Sequence, residues 1–160
     1  MVATHRSGEG YPALARLEPG DRDALGRFFS RLSRESLYRR FLSPVRHPGQ
    51  RQLDRVLDGT AVVGMAGGEI VGVANYIRLG GSDAAQIAVV VEDAWQGRGL
   101  GTRLLTALAD GAREAGIRRF EVASHADNRR ALALLRRLCP RVKPGISSGV
   151  LEASVAVART

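Results

Sequence analysis

The chain is short of cysteine, lysine and aromatic residues, and each shortage removes a class of protein. Among 160 residues Cys139 is the single cysteine, so there is neither an internal disulfide nor a thiol pair at metal-ligand spacing, and no metal is expected. No run approaches the roughly 18 apolar residues of a membrane span, and Met1 to Gly10 lacks an apolar signal core; we expect a cytoplasmic protein with no membrane partner. Aromatics are 5% and Lys143 is the sole lysine, yet Lys plus Arg reach 24 and the formal charge is +8. A nucleic-acid surface would gather arginines into a stripe interleaved with aromatics. Here they are scattered, so nucleic acid is not expected as a partner. The charge reads as a bias toward arginine, with some steering of anionic ligands.

What is present suits one soluble domain: 44% hydrophobic and 25% charged residues in a chain long enough for a core. We expect a flexible leader over residues 1–10 and a single domain over 11–160. Tyr11 to Leu17 reads as a strand, and Asp21 of the following Glu18-Pro19-Gly20-Asp21 turn as a helix cap. Helical spacing from Asp21 to Leu42 predicts two helices broken near Ser33, and Gln50 to Leu57 a short third. The period then changes. Ala61–Ala66, Glu69–Leu79 and Ala84–Glu92, bounded by glycine pairs, predict an antiparallel meander.

Leu100, Leu104, Leu108 and Ala112 line a helix that ends near Gly116, and Phe120 to Ala123 is a fifth strand. Asp127 or Asn128 opens a helix with a buried stripe of Ala131, Leu134, Leu135 and Leu138, ended by Pro140. Two late strands, around Val142 and from Val150 to Ala158, flank Pro144-Gly145. The order argues an α/β (α+β) domain on one central sheet.

The most informative stretch is Trp95-Gln96-Gly97-Arg98-Gly99-Leu100-Gly101-Thr102, where the strand Ile87 to Val91 gives way to a helix. Glycines at alternate positions bare the backbone at a helix start, where unpaired N–H groups and the positive end of the dipole suit a phosphate or pyrophosphate. A P-loop is excluded because no Lys-Ser/Thr follows the glycines. A dinucleotide fingerprint needs G-x-G-x-x-G and a parallel sheet, and the spacing here is Gly97-x-Gly99-x-Gly101. Arg98 and Arg103 flank the turn and can reach phosphate or water equally, as can Arg129, Arg130, Arg136 and Arg137.

The pattern Q/R-x-x-G-x-G/A, met by Gln96, Gly99 and Gly101, resembles that of the GNAT superfamily of acetyl-CoA-dependent N-acetyltransferases. The resemblance runs from about Ala61 to Leu138, and takes in Asn128-x-x-Ala131-x-x-Leu134. It implies a GNAT-like fold, a central mixed, largely antiparallel sheet flanked by helices. It also implies acetyl-CoA as cofactor, its pyrophosphate on the N–H groups of Gln96, Gly97, Arg98, Gly99, Leu100, Gly101 and Thr102. The pantetheine arm would pair with Val89, Val90 and Val91 and take a hydrogen bond from Asn128. The segment Ser33-Arg34-Glu35-Ser36-Leu37-Tyr38-Arg39-Arg40-Phe41 is similar to one in bacterial protein-lysine acetyltransferases.

Two positions depart from the family. Many relatives carry a general-base glutamate where this chain has Gln86, and an amide cannot take up a proton. That loss matters because a lysine with pKa about 10.4 is only about 0.1% neutral near pH 7.4. The tyrosine that often protonates the leaving thiolate falls at Leu135, and the usual Gly-Phe after it reads Cys139-Pro140. Glu92, Tyr38, Tyr76 and His125 are weak substitutes; Tyr38 and Tyr76 read as packing residues, His125 as a surface or satisfied histidine and Cys139 as buried packing.

The expected function is therefore transfer of acetyl to a primary amine, a protein lysine or a small molecule, by direct attack on the thioester. The alternative is a CoA-binding sensor or partner subunit with little transfer. The acceptor and a homodimer stay open. Gly99→Val is expected to abolish acetyl-CoA binding while leaving the fold intact, with calorimetry as the check.

Overall fold

Alternating burial in the strands and three-to-four-residue burial in the helices build two apolar clusters, one on each face of a sheet. The structure, a computed structural model, describes residues 11–157; the expected leader over residues 1–10 and the end of the last strand at Ala158 lie outside the described residues. The chain runs β1 (Ala13–Arg16), α1 (Arg22–Arg31), α2 (Arg34–Phe41), α3 (Gln50–Asp58), β2 (Thr60–Ala66), β3 (Glu69–Arg78) and β4 (Ala84–Val91). It continues through α4 (Leu100–Glu114), β5 (Arg119–His125), α5 (Arg129–Leu138), β6 (Gly145–Ser147) and β7 (Val150–Ala156). Among the described residues the strands form one sheet in the order β1-β2-β3-β4-β5-β7-β6. Every pairing is antiparallel except β4 with β5, which is parallel. This is the mixed, largely antiparallel sheet expected.

Leu25, Phe28 and Phe29 of α1, Leu37 of α2 and Leu53 and Val56 of α3 cover Val63, Val73 and Val90 on one face. Leu100, Leu104, Leu108 and Ala112 of α4 with Leu135 of α5 cover Val71, Ala85, Phe120 and Leu151 on the other. Strand alternation then settles the facing of each remaining residue. On β4, Ala85, Ile87, Val89 and Val91 face α4 and α5, so Gln86, Ala88 and Val90 face the α1–α3 side. On β5, Phe120 and Val122 face α4 and α5, so Glu121, Ala123 and His125 face the other way. On β7 the alternates Glu152, Ser154 and Ala156 are exposed.

Leu100 and Leu104 sit over two glycines that are register partners, Gly64 of β2 and Gly72 of β3. A Cβ on Gly72 would lie 2.9 Å from Leu104 Cδ1, and one on Gly64 would lie 3.0 Å from Leu100 Cδ1. The glycines thus open a trough that seats the first turn of α4 close to the sheet, helped by a bulge after Gly64.

Several local expectations are corrected. Asp21 makes no side-chain cap on α1; its Oδ2 instead accepts the Glu18 N–H at 2.8 Å, closing the preceding turn. Val142 is not in a strand. Its N–H donates to the Cys139 carbonyl at 3.0 Å in the turn that follows α5, and the late strand is β6, beginning at Gly145. The reason is the hairpin turn: Ser148 and Gly149 have φ of 50° and 75°, which suits a tight two-residue turn and pairs Ser147 with Val150. Leu138 is 39% exposed rather than buried. The covered face of α5 runs through Leu132, Leu135 and Cys139, a helical repeat that carries Leu138 past the sheet.

Leu104→Ala should destabilise the protein by about 2–5 kcal/mol, because a fully buried leucine leaves a cavity. Gly72→Ala should cost about 1–3 kcal/mol for the opposite reason, overpacking against Leu104. Urea midpoints falling at unchanged slope would confirm both.

Candidate active site

Where β4 ends, a short turn over Asp93–Trp95 leads into the glycine run. Gly97 and Gly99 adopt φ of 74° and 84°, the left-handed region, so their identity as glycine is a backbone requirement. The first backbone N–H of α4 with a helical partner is that of Arg103, to the Gly99 carbonyl at 3.2 Å. The N–H groups of Leu100, Gly101 and Thr102 precede it and carry the helix's positive end. Gln96 is already engaged: its N–H donates to the Asp93 carbonyl at 3.3 Å.

Beside this turn the sheet opens. β4 and β5 pair only over Ala84–Gln86 and Arg119–Glu121. From Ile87 onward β4 keeps β3 on one side and has no β5 partner on the other, while Val122 to His125 pair with β7 alone. A cleft of about 1110 Å³ follows this gap, lined by Val89, Gly99, Gly101, Asn128, Leu134 and Cys139 among others. Its contents are unusual for a protein interior: a strand edge with free amide groups, leading to a helix N-terminus with more of them.

Gln96 ties three elements together. Its Nε2 donates to the Val91 carbonyl at 2.9 Å and to Ser36 Oγ at 3.1 Å, and its Oε1 accepts from Arg130 of α5. Ser36 Oγ in turn donates to Asp93 Oδ1 at 3.1 Å, and the Ser33 N–H reaches the same oxygen at 3.2 Å. The start of α2 is therefore tied to the entry of the glycine turn. What burial Asp93 has would raise its pKa, but hydrogen bonds from Ser33 and Ser36 outweigh it and hold the carboxyl below its ordinary value. Arg40, further along α2, donates to the buried Asn75 Oδ1 at 2.9 Å, and its Nε has no partner among the described residues. Desolvation, then repulsion from Arg55, lowers its pKa to about 10, so it stays cationic at neutral pH.

The structure brings Val89, Val90, Val91, the glycine turn and Asn128 around one cleft. Asn128 Oδ1 accepts the Ala131 N–H at 3.1 Å and caps α5, which leaves its Nδ2 as the donor. Gln86 sits apart, exposed at the last paired position before the strands part.

The substitutes fare differently. Glu92 lies just past β4 and pairs with Arg31 at 3.3 Å. Tyr76 is buried on the α4 face against Phe120. Tyr38 is 43% exposed and is stacked on His125 with ring centroids 4.3 Å apart, and His125 Nε2 is buried with no partner among the described residues, so it is not a satisfied histidine there. Arg103 is turned away: it donates to the Pro12 carbonyl at 2.9 Å, and Arg98 lies over the Trp95 ring. Sequence reading missed Glu121, which the parallel pairing sets directly beside Gln86, and no pattern along the chain signals that pairing. Gly99→Val is also corrected as a probe: at φ 84° a valine strains the backbone whatever binds there.

A sheet parted between parallel strands, with a bared helix start at its mouth, suits an extended ligand that ends in an anionic group, and comparison with known proteins places the fold. The model of the acetyltransferase (GNAT) family matches residues 25–139, and the chain belongs to that family of acetyltransferases. It is 31% identical over 141 residues to the acetyltransferase Pat of Mycolicibacterium smegmatis, covering 83% of this chain and 42% of that protein. The chain thus spans less than half the length of that relative. The crystal structure of the GNAT domain of S. lividans PAT superposes with TM-score 0.81 at 26% identity, covering 89% of each chain. The structure of yncA, a putative acetyltransferase from Salmonella typhimurium with its cofactor acetyl-CoA, shares the fold at TM-score 0.70 and 18% identity, over 94% of this chain and 96% of that one.

Asp93 supplies a pH test of the α2 anchor. Its folded pKa lies below the unfolded value of about 3.9, so its stabilisation is complete above that value and lost as pH falls through the folded pKa. Asp93→Asn should lower the thermal midpoint slightly at pH 6, since solvent screens an exposed carboxylate. The gap to the wild type should close on acidification; a constant gap would rule out the carboxylate.

Proposed function

We propose that this chain is a cytoplasmic N-acetyltransferase that uses acetyl-CoA to acetylate a primary amine, with a protein lysine as the favoured acceptor. The observation that carries the reading is the β4–β5 gap ending on the bared start of α4. The N–H groups of Gly97 to Thr102 are suited to the diphosphate, each charge-assisted hydrogen bond contributing about 1.5–3 kcal/mol. The edge of Val89 to Val91, apart from the Val91 carbonyl that Gln96 holds, and the Asn128 Nδ2 are suited to the pantetheine arm. Acetyl-CoA supplies an activated thioester. The chain's part is to hold it in line with the amine, to polarise its carbonyl from a β4 N–H near Val89, and to exclude water. The lysine preference rests on the segment Ser33 to Phe41, which forms α2 and lines the same cleft through Glu35, Ser36, Arg39 and Arg40.

Gln86 favours a second reading, a CoA-binding domain with weak transfer. Titration with acetyl-CoA, followed by CoA release across protein-lysine, polyamine, aminoglycoside and amino-acid acceptors, separates the two. Binding with no release on any amine, together with release gained by Gln86→Glu, would favour the binding domain.

Gly101→Glu tests the cradle, with Gly101→Ala as its control. A Cβ on Gly101 would lie 3.5 Å from Leu134 Cδ2 and 4.0 Å from Val91 Cγ2, ordinary contacts, and alanine, which the pattern admits here, favours a helix over glycine by about 1 kcal/mol. Gly101→Ala should hold or raise the thermal midpoint and keep acetyl-CoA affinity. Gly101→Glu sets a carboxylate against the diphosphate and should lower that affinity about tenfold or more by calorimetry, at about 1.4 kcal/mol per decade. Unchanged affinity in Gly101→Glu would sink the assignment.

A further inference from the structure

We propose that Glu121 is the carboxylate that takes the proton from the acceptor amine, in place of a glutamate at position 86; this rests on the acetyltransferase reading above. Glu121 and Gln86 are register partners across the short parallel pairing of β4 and β5. Their side chains leave the sheet on the same face, opposite the α4–α5 layer, about one strand spacing of 4.8 Å apart. A carboxylate here serves the space that one on Gln86 would have served. Glu121 is half-buried, accepts a hydrogen bond from Ser154 Oγ at 2.9 Å, and forms no ion pair among the described residues. Glu92, by contrast, is held by Arg31. The hydroxyl of Ser154 fixes one carboxylate oxygen and leaves the other to accept a proton.

The step balances without an added reactant. The ammonium gives one proton to the Glu121 carboxylate, and the freed nitrogen forms a bond to the thioester carbonyl carbon. The carbon–sulfur bond breaks, the thiolate takes up the nitrogen's second proton by way of solvent, and Glu121 returns its proton to water. Charged and titratable groups stand near Glu121 on β5 itself, on β7 and on α2, where Glu35 and Arg39 line the neighbouring cleft. Arg119 stands two residues before it, with its guanidinium 3.9 Å from Asp83, and His125 stands four after, stacked on Tyr38 of α2. Glu152 lies diagonally across on β7, and from α2 Arg40 is directed to Asn75.

The test uses the full chain and an amine that the wild type acetylates. Glu121→Gln should lower kcat/KM for the amine about 10²–10⁴-fold at pH 7.4, the range for losing a general base. Acetyl-CoA affinity by calorimetry should stay within about twofold. The deficit should narrow near pH 9.4, where a lysine-like amine is about a hundredfold more neutral. Adding Gln86→Glu to Glu121→Gln should restore part of the rate, because a carboxylate returns to the same space. A Glu121→Gln rate within about threefold of wild type at both pH values overturns the proposal and leaves the acetyltransferase reading standing. A loss that Gln86→Glu does not relieve marks structural damage and overturns it as well. A wild type that binds acetyl-CoA and acetylates no amine overturns both readings.

Discussion

The seat of α4 on the sheet is the contact from which the rest of the site is built. Leu100 and Leu104 reach the backbone of β2 and β3 only because Gly64 and Gly72 carry no side chain there. That close approach sets the helix start level with the end of β4, so its unpaired N–H groups open toward the strand edge. Close-packed cores resist small displacements. A helix start seated this way keeps its donors aimed before any ligand arrives, and preorganised donors need not be reoriented on binding.

The second constraint is the single parallel pairing in an otherwise antiparallel sheet. Parallel strands need a crossover, and α4 provides it between β4 and β5. The pairing holds over Ala84–Gln86 and Arg119–Glu121 and then stops. Beyond it β4 keeps β3 and β5 keeps β7, and the backbone groups that face the gap are left without a strand partner. The edge groups it leaves free are what an extended amide-bearing arm can pair with. Gln96 then closes the upper end, joining Val91, Ser36 and Arg130. The cleft lies along the same gap, and the half-buried alternates of β5, Glu121, Ala123 and His125, lie on the sheet face away from α4 and α5.

The glycine turn was legible because its physics is local. Positive φ at Gly97 and Gly99 and free N–H groups at a helix start follow from a few consecutive residues. The strands of the meander were legible for the same reason, since a period of two needs no partner to be seen. Errors fell where a local pattern had two outcomes. Leu138 continued a helical stripe that the sheet did not extend to meet, and Val142 was an apolar residue whose N–H went to a turn. Asp21 stood at the cap position of α1, but its carboxylate bonded back to the Glu18 N–H. Arginines were the least legible: Arg103 anchors Pro12, Arg130 holds Gln96, and Arg40 lies against Asn75, none of which spacing along the chain announces.

Residue by residue, the chain determined its own elements, its phosphate-suited turn and the amide at position 86, because propensity, backbone freedom and side-chain chemistry are properties of neighbouring residues. It did not determine which carboxylate stands beside that amide. Gln86 and Glu121 are far apart in the chain and adjacent only through the parallel register of β4 and β5. That register depends on the crossover helix, its leucines and the two glycines beneath them. The cradle is therefore written locally, and the chemistry beside it is set by packing between distant segments.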